Sequence, residues 1–263
     1  MIPVSPHIVC FRAHNLSPMT LDGTNCYIVS GDGDALVVDV GPDEPTHLAA
    51  MADYVRANNL RLRAILLTHT HHDHTDGLPA FRKLVPAPIH AFKTGYDAPL
   101  RDGERITSDD STLTVIHTPG HAGDCVCFFH DSDGVLIAGD TILGIGTSVI
   151  SPPEGDVSDY LDSLERLKAF PAQIIAPGHG PLLTNPRAKI DEYIEHRLMR
   201  ERQIVAQLQT GPQTVEELVA EIYKDVDKKL HGAAGWSVRA HLVRLQRAGR
   251  VKASEERFEF VGD

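Results

Sequence analysis

The chain is expected to fold as a layered α/β domain followed by a small, mainly helical one. Short apolar runs of strand character alternate with helix-spaced stretches through residues 1–185, the grammar of sheets covered by helices. Beyond residue 186 the pattern becomes helix, helix, helix and hairpin, the order of a winged helix. Charge and histidine content also change at that boundary. Residues 1–185 hold 11 Lys/Arg against 23 Asp/Glu and 12 of the 15 histidines, whereas residues 186–263 hold 14 against 13 and three. The formal charge of −11 thus divides into −12 and +1, two surfaces of different kind.

Each element has a local reason. Asn25-Cys26-Tyr27-Ile28-Val29 and Ala35-Leu36-Val37-Val38-Asp39 are strands joined through Gly31-Asp32-Gly33-Asp34, a turn signal between apolar runs. Leu48, Met51, Ala52 and Val55 recur at helical spacing over 46–58, after Gly41-Pro42-Asp43-Glu44-Pro45. Ala64-Ile65-Leu66-Leu67 is a buried strand running into a histidine-rich loop, and further strands fall at Leu113–Ile116, Val126–Phe129, Val135–Ala138 and Ile174–Ala176, with a helix at about 158–169. In the tail, Ile190, Ile194, Leu198, Ile204 and Leu208 stripe a helix over about 187–209 that Gly211-Pro212 stops. Thr214-Val215-Glu216-Glu217 is a capping box for the next helix. A third is expected over about 236–248, then a hairpin from Val251-Lys252-Ala253 and Phe258-Glu259-Phe260-Val261.

An apolar share of 42% and a charged share of 23% belong to a globular chain, which excludes global disorder, collagen-like repeats and a coiled coil. No apolar run approaches the roughly 18 residues of a membrane span. The N-terminus lacks the basic and apolar regions of a secretory signal. Four cysteines in 263 residues make no disulfide framework, so a reduced, cytoplasmic protein is expected.

Chemistry concentrates after Leu67, where the chain reads Thr68-His69-Thr70-His71-His72-Asp73-His74, an H-x-H-x-D-H at a strand end. Imidazole nitrogens and carboxylate oxygens suit zinc and similar dications, and four of them within six residues let one loop clasp metal. Three more candidates each end a strand-like run beside glycine: His121 in Thr118-Pro119-Gly120-His121, Asp140 in Ala138-Gly139-Asp140-Thr141, and His179 in Pro177-Gly178-His179-Gly180. Glycine permits the tight turns a metal-lining loop needs. His14, His72, His90, His117 and His130 have no partner pattern and are expected to be ordinary surface or core residues.

With these residues in place, residues 1–185 resemble the metallo-β-lactamase-fold hydrolase superfamily. The resemblance implies a four-layer αββα sandwich. It also implies that His69, His71 and His121 hold one metal, that Asp73, His74 and His179 hold a second, and that Asp140 bridges both. Asp39 resembles the family's aspartate that orients a ligand histidine. Gly23-Thr24-Asn25, Gly139-Asp140-Thr141-Ile142-Leu143-Gly144, the Pro177-Gly178-His179-Gly180-Pro181 loop and the winged-helix tail resemble the β-lactamase-like protein 2 branch over nearly the whole chain. Some members of that branch are implied to be single-strand endoribonucleases, and related ones are implied to act as thioesterases.

Such a ligand set implies two Zn²⁺ ions, with iron or manganese as alternatives. Two dications about 3.5–4 Å apart can hold a bridging hydroxide that attacks a carbonyl or phosphoryl centre, with Asp73 binding metal and orienting the nucleophile. A small ester, thioester or lactone, or single-stranded RNA, is the expected substrate. Asp140 stands where the B1 and B2 lactamase resemblance would need cysteine, and His69-x-His71 differs from the His-x-Glu of flavo-diiron proteins. A one-iron persulfide dioxygenase is compatible with the same ligands. A different class of reading makes the protein a winged-helix nucleic-acid binder through Arg239, Arg244, Arg247, Arg250 and Lys252. The plainer role of the tail is to pack, to shape the site mouth or to form a homodimer.

Overall fold

The structure is a computed structural model that describes residues 1–262. In chain order its first elements are β1 (Ile2–Pro3), β2 (Ile8–Arg12), β3 (Asn25–Ser30), β4 (Asp34–Val38), α1 (Pro45–Ala57), β5 (Arg61–Leu66), α2 (His72–Thr75), α3 (Leu78–Leu84), β6 (Ile89–Ala91) and β7 (Ala98–Pro99). There follow β8 (Arg105–Ser108), β9 (Ser111–His117), β10 (Val126–His130), β11 (Val135–Gly139), α4 (Val157–Leu167) and β12 (Ile174–Pro177). The tail contributes α5 (Pro186–Leu208), α6 (Val215–Ile222), α7 (His231–Arg247), β13 (Val251–Ser254) and β14 (Arg257–Phe260).

The chain divides into two compact units. One comprises 1–118, 124–148 and 168–187; the other comprises 119–123, 149–167 and the residues from 188 onward. In the first unit a seven-stranded sheet runs β1-β2-β3-β4-β5-β6-β7 and a five-stranded sheet runs β12-β11-β10-β9-β8. β4, β5, β6 and β7 pair in parallel, as do β11 and β12, while the other neighbours are antiparallel.

Period-two alternation explains why β4 is apolar from Ala35 to Val38. Leu36 and Val38 point one way, with Tyr27, Val29 and Leu66, against Leu113, Val115, Phe128 and Ile137 of the other sheet. Ala35 and Val37 point the other way, onto Leu48, Met51 and Val55 of α1 and Phe81 of α3. Both faces of the strand are therefore covered, and no polar face is left to alternate with the apolar one. Truncating fully buried Phe81 or Phe128 to alanine would cost about 3–5 kcal/mol. All four cysteines are buried free thiols.

In the second unit, Ile204 and Leu208 of α5, Leu218 and Val219 of α6, and Val238, Leu242 and Leu245 of α7 share a core with Val251. The capping box forms as expected: Thr214 Oγ1 accepts from the Glu217 N–H at 3.2 Å and Glu217 Oε2 accepts from the Thr214 N–H at 2.8 Å. β13 and β14 close the hairpin. The third tail helix begins at His231 rather than near 236. Gly232 and Gly235 argue against helix locally, but a 3-10 turn over Lys228–Leu230 leads in and Ala234 packs into the core. Trp236, the chain's one tryptophan, is 47% exposed. No helix among the described residues is long and apolar enough to cross a membrane.

Candidate metal centre

Four strands of the first unit end at one place. Asp39 follows β4, Thr68 and His69 follow β5, Asp140 follows β11, and Gly178 and His179 follow β12. Carboxyl ends of parallel strands are where open α/β sheets gather ligand-binding side chains. Register sets the closest approach: Gly139 pairs with Pro177, and the Gly178 N–H donates to the Gly139 carbonyl at 2.7 Å. A Cβ on Gly178 would lie 2.3 Å from Asp140 Oδ1, so only glycine lets this backbone pass.

Asp73, His74, Asp140 and His179 offer ligand atoms all within 4.8 Å of one another. His179 Nε2 lies 3.1 Å from Asp73 Oδ2 and 3.3 Å from Asp140 Oδ1, and His74 Nε2 lies 3.7 Å and 3.4 Å from the same two oxygens. Ligands about 2.0–2.1 Å from a tetrahedral ion stand about 3.3–3.4 Å from each other. These four atoms thus have the mutual spacing of ligands around one cation, and the donor set fits a first-row dication.

The opposite ring nitrogens are tied down. His74 Nδ1 meets Asp39 Oδ2 at 2.8 Å, and His179 Nδ1 meets the Gly23 carbonyl at 3.2 Å. Asp39 also accepts from the Thr68 N–H at 2.8 Å and the Thr68 hydroxyl at 2.7 Å, and Thr68 Oγ1 is 3.0 Å from His69 Nδ1. Such outer partners fix a ligand imidazole's tautomer and orientation. Asp39 holds φ +58, a left-handed backbone that is uncommon outside glycine and is kept by these bonds. Thr68 is a supporting residue that sequence reasoning does not single out; its place just before the first histidine is the signal that could have found it.

His69 Nε2 lies 3.0 Å from His71 Nδ1 and 4.0 Å from Asp140 Oδ2. Asp140 therefore turns one oxygen to His74 and His179 and the other to His69. His121 belongs to the second unit, where Pro119–Gly123 is held by the Asp156 N–H on the Gly120 carbonyl at 2.9 Å and the Ser163 hydroxyl on the Pro119 carbonyl at 2.8 Å. Its Nδ1 meets the Val149 carbonyl at 2.7 Å.

Burial opposes charge at these groups, and opposite neighbours override it. Burial would raise the Asp140 carboxyl, but His179 and His74 hold it well below the usual range. Burial would lower His74, yet Asp140 and Asp39 lift it well above an ordinary imidazole. His179 responds in the same way to Asp140 and Asp73, reaching about 9. Asp73 is lowered against its own burial by His179 and His74, and it is the most open of the group at 29% exposure.

The remaining histidines occupy surface or core places. His72 is exposed and pairs with Asp76, His14 pairs with Glu44, and His117 stacks on Phe92. His130 takes a core place, buried against His7 and Asp133. The tail's basic side chains are matched by acids: Arg239 faces Glu216 at 3.7 Å, Arg244 bonds Glu201, Arg247 bonds Asp156, Arg250 faces Glu201 at 3.9 Å and Lys252 faces Glu259 at 3.0 Å.

Comparison with known proteins identifies the family. The Metallo-beta-lactamase superfamily matches residues 19–107 and 91–179, and the Beta-lactamase associated winged helix domain matches 214–258. The chain is 33% identical to a "Beta-lactamase-like protein 2 homolog" of Drosophila melanogaster, over 92% of this chain and 88% of that one. It is 33% identical to an "Atrochrysone carboxyl ACP thioesterase" of Aspergillus chevalieri, over 86% and 77%. A metallo-beta-lactamase family protein of Thermus thermophilus shares its fold with a TM-score of 0.81 at 23% identity, covering 97% of this chain and 99% of that one.

Proposed function

Because the chain belongs to the metallo-β-lactamase superfamily and is a hydrolytic enzyme that binds divalent metal, we propose that it is a binuclear zinc hydrolase of ester-like substrates, thioesters foremost. The observation that carries this reading is Asp140, whose two oxygens face different imidazoles as a carboxylate shared by two ions would. Residues 1–185 supply the chemistry and 186–263 form the winged-helix domain. His69 and His71, with His121 on the strength of the sequence motif, hold the first ion. Asp73, His74 and His179 hold the second, and Asp140 spans both.

Bound dications supply Lewis-acid polarisation of the substrate oxygen and a water made nucleophilic near neutral pH. The chain's own part is to hold the cage rigid and to aim the attacking water. Asp39 and Thr68 fix the imidazoles. Asp73, the most open of the carboxylates, accepts a hydrogen bond from the attacking water and turns its lone pair toward the carbonyl. A shared, two-facing carboxylate favours the binuclear hydrolase over the one-iron dioxygenase. The thioester preference is supported by the relative named as a thioesterase, and it gains weight because the tail arginines are already matched by carboxylates.

Metal analysis of the purified protein, with turnover of an acyl thioester, a lactone, a phosphodiester and single-stranded RNA, tests the proposal. Two zinc ions per chain and thioester cleavage that Asp140→Asn abolishes are expected. Equal turnover by wild type and Asp140→Asn would sink it, and cleavage of RNA alone would replace the thioester by a phosphodiester.

A further inference from the structure

At the other end of the strands from the metal centre lies a second convergence of ligand side chains. His7 stands just before β2, His130 closes β10, and Asp133 sits in the turn from β10 to β11. From Asp133 to Asp140 the chain runs the length of β11, roughly 20 Å, so this cluster shares no residue with the centre described above. It bridges the seven-stranded and five-stranded sheets of the first unit.

Its three ligand atoms lie within 4.8 Å of one another. Asp133 is the hub: Oδ2 accepts from the His7 backbone N–H at 3.1 Å, Oδ1 is 2.8 Å from His7 Nδ1, and Oδ2 is 3.7 Å from His130 Nδ1. The His130 side chain is fully buried and that of Asp133 is 5% exposed, while His7 is 33% exposed and opens the cluster to solvent. His130 Nδ1 accepts from the Asp133 N–H at 3.3 Å, so that nitrogen carries a lone pair. Its Nε2 is buried without a hydrogen-bond partner among the described residues. Two imidazoles and a buried carboxylate thus converge in one pocket, and a cation there would take the His130 Nδ1 lone pair in place of the Asp133 N–H.

We infer that His7, His130 and Asp133 are a non-catalytic site for one zinc-like dication that clamps the two sheets together. The donor set is the two-imidazole, one-carboxylate combination that first-row dications accept, with a water completing four-coordination. On binding, the proton on His7 Nδ1 leaves or moves to Nε2, which lies 3.9 Å from Asp110 Oδ2. A carboxylate behind a ligand histidine is the common outer arrangement at metal sites.

The test is a titration of chelator-stripped full-length protein with Zn²⁺, following bound metal by equilibrium dialysis and the melting temperature alongside. Wild type should saturate with one more equivalent than His7→Gln, and only wild type should gain thermal stability at that step. Turnover of fully loaded His7→Gln should match wild type. A second arm uses Co²⁺ in an Asp140→Asn background. There adding His7→Gln should lower bound cobalt by one equivalent and weaken the absorption band accordingly, on top of whatever cobalt the catalytic centre retains. Equal zinc stoichiometry for wild type and His7→Gln, or a band indifferent to His7→Gln, overturns the inference.

Discussion

Buried polar side chains gather at the strand ends of the first unit and, separately, along α5 and α7 of the second, and the two gatherings are balanced in different ways. At the strand ends, Asp73 and Asp140 face His74 and His179 nitrogen to oxygen at 3.1–3.7 Å, with acceptor atoms predominating. Along the tail helices, Glu201 is surrounded by donors: Arg244 bonds it, and Arg250 and His241 approach to 3.9 Å. Arg197 lies over the Tyr160 ring at 5.2 Å and Arg200 over Tyr223 at 4.3 Å. One cluster calls for a cation from outside; the other supplies its own. Charge closed within the fold contributes stability and specificity of packing, whereas charge left open is available for chemistry.

Breaking the open cluster gives the largest effects. Asp140→Ala removes the shared carboxylate and is expected to lower turnover by more than about 100-fold, with bound metal falling in parallel by elemental analysis. Asp39→Asn leaves every ligand in place but loosens His74 and Thr68. Metal affinity should drop about 10- to 100-fold in a competitive chelator titration.

Breaking the closed cluster changes stability instead. Burial would raise the Glu201 carboxyl, but His241 beside it and the Arg244 guanidinium bonded to it hold it at about 2, against 4.5 unperturbed. A depressed carboxylate stabilises the fold above its unfolded pKa, and that contribution drains away as pH falls from 4.5 toward 2. Glu201→Gln should therefore lose on the order of 3 kcal/mol at neutral pH and flatten this part of the acid limb, read by denaturant melts from about pH 2 to 7. The smallest effect belongs to Arg239, which is half exposed and paired with Glu216. Arg239→Ala should change stability by less than about 0.5 kcal/mol. It should leave any salt-dependent association with single-stranded RNA unaltered; a shallower salt slope would mean that the arginine meets phosphate.

Most of the open cluster is legible in the sequence because its parts are local or conspicuous. His69, His71, Asp73 and His74 fall in one loop, and Asp140 and His179 each end an apolar run beside a glycine. What the sequence hides is what depends on strands meeting at a distance. β2 does not stand out because its Cys10 and Arg12 blur the alternation, yet it joins the edge strand β1 to β3 in the first sheet. His7 and Asp133 are 126 positions apart, and no local pattern marks residues joined only by sheet packing. The start of α7 is obscured because Gly232 and Gly235 weigh against helix locally while tertiary contacts decide otherwise.

The distribution of two rare residue types makes the units separately observable. Every thiol, at Cys10, Cys26, Cys125 and Cys127, is buried in the first unit, and Trp236 belongs to the second. Alkylation of the thiols therefore has to wait for the sandwich to open, while indole fluorescence follows the winged helix. A native-state experiment that records both signals would show whether the two units unfold in one event or in sequence, without a single engineered label.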